Sequence, residues 1–128
     1  LGLARQMLEG EITWREGAKQ AAFAAMAEGA RLEDQLVYDE PPGWMQPVRH
    51  AYGALLMAAD RPADAEAVYR ADLARNPGNG WSLLGLEQAC RAQGKGAEAE
   101  IAAEHLAAAW ERADVEASSS CFCEPGNA

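Results

Sequence analysis

Apolar residues recur at helical spacing along most of the chain. Leu3, Met7, Leu8 and Ile12 share one face of a segment from Leu3 to Glu16, which Gly17 ends. A second helix is predicted from Ala18 to Leu36. Pro41, Pro42 and Gly43 then stop any helix. A third begins near Pro47, a residue suited to a first helical turn, and runs to Ala59. The turn Asp60-Arg61-Pro62 starts a fourth, which stops at Asn76 because a proline disfavours helix in the residue before it. The fifth runs from Trp81 to Gln93, Gly94-Lys95-Gly96 breaks it, and the sixth runs from Ala97 to Ala113. Short turns favour antiparallel neighbours. The six helices therefore pair as hairpins over about 3–36, 46–77 and 80–113, in one domain of residues 1–117. Ser118-Ser119-Ser120 opens a tail, residues 118–128, assigned to no element.

The pattern repeats. A shift of 34 brings Ala58 onto Ala92, Ala63 onto Ala97, Ala65 onto Ala99, Glu66 onto Glu100, and the turn at Asp60 onto that at Gly94. A shift of 43 brings Gly10 onto Gly53, Gly17 onto Asp60 and Ala22 onto Ala65. The two shifts differ by nine residues (43 − 34), and the Pro-Pro loop is the natural place for that insertion.

Composition agrees with a helical fold. Hydrophobic residues make up 49% of the 128 and charged ones 24%, and 29 residues are alanine. Alanine is the strongest helix former and lets helices approach closely. Val, Ile and Thr are scarce, which argues against strands. The net charge of −9 and the lack of a Lys/Arg cluster, which a nucleic-acid binder needs to neutralise phosphates, exclude nucleic acid as a partner and disfavour an anionic membrane surface. No apolar run approaches the roughly 18 residues needed to span a bilayer. No leader pattern is visible, which leaves the compartment open. Three cysteines without paired spacing fit a reducing compartment better than an oxidising one.

A 34-residue helix–turn–helix period is that of the tetratricopeptide repeat, and the chain resembles that family. Tyr52-Gly53, Ala65-x3-Tyr69 and Pro77 match its pattern in the middle hairpin. The third hairpin carries Trp81-x2-Leu84-Gly85 and Ala99, with the Trp-Leu-Gly two residues early against a strict 34. The first keeps Gly10 and Ala22 but has Met26 where an aromatic is usual. The stretches 39–47 and 79–83, with Cys121-Phe122-Cys123, are similar to the C-terminal part of larger, poorly characterised bacterial proteins of this family. That resemblance implies missing upstream repeats and carries no assigned activity.

The resemblance implies an all-α superhelical array whose concave groove is lined by the first helix of each hairpin, and a role as a protein-interaction scaffold. The repeat phase then assigns to the groove Glu11, Trp14 and Arg15, then His50, Ala54 and Met57, then Trp81, Gln88 and Arg91. Such a mixture of aromatic, thioether and polar groups suits a peptide or protein segment. The alternative places Trp14 and Trp81 in the core between repeats. Family members often hold a C-terminal carboxylate with paired cations. Arg15, Arg49 and Arg91 are the only residues that could do so here.

Two further features carry chemistry. Tyr38, Trp44 and Met45 flank rigid prolines, either as a pre-organised binding loop or folded back over the junction between hairpins. Cys121 and Cys123 offer two thiols one residue apart. With His50 or His105 they could hold a soft metal ion or do thiol-redox chemistry, the rival to the scaffold reading; otherwise they form an inert tail. No phosphate loop, HExxH or GxSxG is present, no catalytic residue is assigned and no cofactor is expected. An array without a capping helix leaves an apolar end, which predicts self-association or packing of the tail over that end.

Overall fold

The computed structural model describes residues 1–37, 40–41 and 43–124. It is all-helical, an array of six helices: α1 (Gly2–Arg15), α2 (Lys19–Glu33), α3 (Val48–Ala58), α4 (Pro62–Arg75), α5 (Gly80–Ala92) and α6 (Gly96–Ala109). Each helix packs chiefly on its neighbours in sequence, and α3 also touches α5.

The three hairpins turn in the same way. Gly17, Asp60 and Gly94, the residues aligned by the two shifts, all take positive φ (83°, 59° and 72°). The next N–H in each turn reaches back five residues to a carbonyl. Ala18 bonds Thr13, Arg61 bonds Leu56 and Lys95 bonds Cys90, each at 2.9 Å. This closes the last turn of the first helix and reverses the chain. Ala22, Ala65 and Ala99, again related by the shifts, are each 0% exposed. A larger side chain at any of them would hold the paired helices apart.

The helix starts differ. Asn79 Oδ1 accepts from the N–H groups of Trp81 (3.0 Å) and Ser82 (3.3 Å), capping α5. Pro47 cannot cap α3 in that way. Instead the Glu33 carboxylate at the end of α2 accepts from the Val48 N–H, with both oxygens at 3.2 Å. Arg49 then forks onto Asp34, both contacts 2.8 Å, and ties the first hairpin to the second.

Tyr69 explains the early Trp-Leu-Gly. Its ring, 1% exposed, lies between α3 and α5. A Cβ built on Gly53 would stand 2.3 Å from Tyr69 Cζ, and one on Gly85 would stand 2.2 Å from the same atom. Glycine is required on both sides of one ring. The second glycine answers to the preceding hairpin's tyrosine, so its spacing need not follow the repeat.

Two ends differ from expectation. α2 stops at Glu33 rather than Leu36, because Gln35 and Leu36 bond three residues back instead of four. α6 stops at Ala109 rather than Ala113. Trp110 swings out against Gly80 and stacks edge-on over Trp81, with ring centroids 5.4 Å apart. The tail, left without an element in the sequence reading, does not cover the outer face of α6, where Ile101 stays 55% exposed. It crosses the first helices of the hairpins. Among the described residues no helix is long and apolar enough to cross a membrane.

Candidate functional site

Residues 118–124 cross the three first helices in reverse order. Gln88 on α5 donates to the Ser118 carbonyl at 3.0 Å. The Ser120 hydroxyl, 2% exposed, lies 2.7 Å from Tyr69 Oη and donates to the His50 carbonyl at 2.9 Å. Arg15 on α1 donates to the Cys123 carbonyl and pairs with Glu124 at 3.2 Å. Trp14 Nε1 donates to Glu124 Oε1 at 2.8 Å. Phe122 stacks edge-on against Trp81, with centroids 5.2 Å apart.

The structure thus brings Trp14, Arg15, His50, Trp81 and Gln88 together around one segment of the chain itself. Glu11 lies with His50 and Trp81 at a cavity of about 570 Å³ beside the tail, lined also by Gln46, Cys121 and Cys123. Of the other groove candidates, Met57 is half-buried against the core and Ala54 lies within it. Arg91 is exposed and pairs with Glu87 one turn back. Trp14 has a double position: it also faces Phe23, with centroids 6.0 Å apart, so the groove and inter-helix readings both apply to it.

Beneath His50 lies a polar cluster that the spacing did not suggest. Asp72, 1% exposed, accepts from Ser82 Oγ (2.6 Å), Asn76 Nδ2 (2.9 Å) and His50 Nε2 (3.2 Å). Burial works to raise its pKa, but the hydrogen bonds from His50, Ser82 and Asn76 outweigh it and hold the carboxyl below the usual value. Ser82 points at the carboxylate and not at the imidazole, so this is not a nucleophile–base pair. The cluster fixes the α3 backbone whose His50 carbonyl receives the tail. One signal was available: Asp72 stands 43 residues after Gly29 and 34 before Leu106, a charged group in a small or apolar register.

A second buried carboxylate joins the last two hairpins. Glu66 accepts from Lys95 (2.6 Å), Gln93 (2.7 Å) and Arg70 (2.9 Å). The Lys95 ammonium, followed by Gln93 and Arg70, overcomes desolvation and lowers its pKa to about 2.

Cys121 and Cys123 are joined by a disulfide, their Cα atoms 5.2 Å apart. Three cysteines without paired spacing favour a reducing compartment, and the disulfide corrects that expectation. The turn at residues 122–123 brings the two sulfurs together. His105 is exposed on α6. Among the described residues, no three His, Cys, Asp or Glu side chains are grouped to hold a metal ion. Cys90 is buried and free. In the Pro-Pro loop, Trp44 packs partly against the core, while Met45 is 86% exposed. Tyr38 lies outside the described residues.

No protein-family model matches the chain, and no curated protein or solved structure matches it.

Proposed function

We propose that this chain is a protein-interaction scaffold of the tetratricopeptide type, whose groove across α1, α3 and α5 takes a peptide segment. The observation that carries the reading is the seating of residues 118–124. Four of the contacts that hold this segment address its backbone or a single small hydroxyl: Gln88 to Ser118 O, Arg15 to Cys123 O, and Ser120 Oγ to Tyr69 and His50. Backbone-directed contacts suit segments of varied sequence, with one pocket supplying selectivity. The three matching turns support the repeat itself.

The test uses the full chain with Ser120→Arg, which cannot enter the buried hydroxyl site. A fluorescent peptide covering residues 116–124 should bind this variant saturably and bind the wild type more weakly, because the tethered segment competes. A folded Ser120→Arg chain that ignores the peptide overturns the reading.

A further inference from the structure

The Cys121–Cys123 disulfide is not used by the scaffold reading, yet both cysteines stand at the wall of the cavity. We propose that Cys121–Cys123 is a thiol–disulfide exchange site, reduced by a dithiol that enters this cavity and attacks Cys123. The two sulfurs are not equivalent. Cys121 is 3% exposed, whereas Cys123 is partly open to solvent. The Cys121 sulfur has two N–H groups beside it, Gln46 Nε2 at 3.6 Å and the Cys123 backbone N–H at 3.1 Å. Donors of this kind stabilise a thiolate and make it the better leaving group.

The chemistry follows from that asymmetry. One thiolate of the dithiol attacks Sγ of Cys123. A new S–S bond forms there, the Cys121–Cys123 bond breaks, and its electron pair goes to Sγ of Cys121. The second thiolate of the dithiol then attacks its own sulfur in the mixed disulfide and expels Cys123. The two protons from the dithiol end on Cys121 and Cys123. The chain is reduced by two electrons and the reductant leaves as its cyclic disulfide. Both a small dithiol and a paired-cysteine protein supply this chemistry.

The oxidised full chain is titrated with dithiothreitol, and in a second arm with a reduced thioredoxin-type protein; it is then alkylated and mapped by mass spectrometry. Reversible two-electron reduction of the pair is expected, and the faster arm identifies the source. Failure of both reductants overturns the proposal. Regiochemistry is read by attack of reduced glutathione on the oxidised wild-type chain, with the released thiol trapped by rapid alkylation. The mixed disulfide should map to Cys123 and the alkylated thiol to Cys121 in at least about tenfold excess over the reverse, and an equal or reversed distribution overturns the proposal. Gln46→Ala should slow reduction about fivefold with an unchanged melting temperature; an unchanged rate overturns the leaving-group assignment.

Discussion

The hydroxyls of Tyr69 and Ser120 meet at 2.7 Å across 51 residues of sequence. Tyr69 fills the space between two hairpins, and its oxygen emerges on the groove side, where the tail supplies the partner. Burial raises the Tyr69 pKa well above the ordinary phenol value, while the bond to Ser120 opposes that rise. The phenol therefore stays neutral at any physiological pH and serves as a fixed post for the tail. Tyr69→Phe should cost about 1 kcal/mol. It should also accelerate amide exchange in the tail ahead of the helices, as read by hydrogen-exchange mass spectrometry.

Gly53→Ala should destabilise the chain by about 2–3 kcal/mol, because the added methyl meets a ring that Gly85 blocks from the other side. Gly96→Ala is the control: a Cβ there meets nothing within 4 Å, so its melting temperature should stay the same or rise. Thermal unfolding of the two variants side by side checks the pair.

Asp72→Ala removes one acceptor and leaves His50, Ser82 and Asn76 without it. A loss of about 3–5 kcal/mol is expected, as for breaking a buried charged network from one side. Asp72→Asn keeps part of the network and should lose less. Urea unfolding measures both.

The pH dependence follows from Glu66. Its folded pKa, about 2, lies below the ordinary 4.5. A lowered carboxyl contributes stability that is complete above the unfolded value and is lost as pH falls through the folded one. Stability should decline from about pH 4.5 towards pH 2, by about 2 kcal/mol from this group after allowance for its partial exposure. Asp72, also lowered, adds to the same acid limb. Glu66→Gln should flatten that limb in chemical denaturation at a series of pH values.

Arg15→Ala should free the end of the tail more than its beginning. Cys123 loses its contact to α1 and Glu124 keeps only its bond from Trp14, while Gln88 still holds Ser118. Amide exchange should rise most at residues 122–124, with the helices unchanged.

Most of the array was legible because its repeat rests on local sterics. Ala22, Ala65 and Ala99 must be small, and Gly17, Asp60 and Gly94 must turn; both requirements leave residues at fixed spacing. The phase of the first helices also places Trp14, Arg15, His50, Trp81 and Gln88 on one side of the array, where each contacts the tail. The occupant was not legible. Ser118-Ser119-Ser120 has no periodicity, and nothing near Ser120 marks it as the buried one of these three; its place is set by Tyr69 and His50, far away in sequence. The Asp72 cluster was missed for a related reason. Its partners come from α3, α5 and the residue that ends α4, and each residue alone reads as an ordinary polar position.

The meeting of Tyr69 and Ser120 also imposes an order in time. Translation runs at about 5–20 residues per second, so the serine leaves the ribosome roughly 3–10 seconds after the tyrosine. A helix turn forms in microseconds or less. The hairpins can therefore assemble around Tyr69 well before the tail exists, and during that interval its hydroxyl faces an empty groove. A nascent chain paused between the two residues would leave that hydroxyl without Ser120, and completing the tail would supply it.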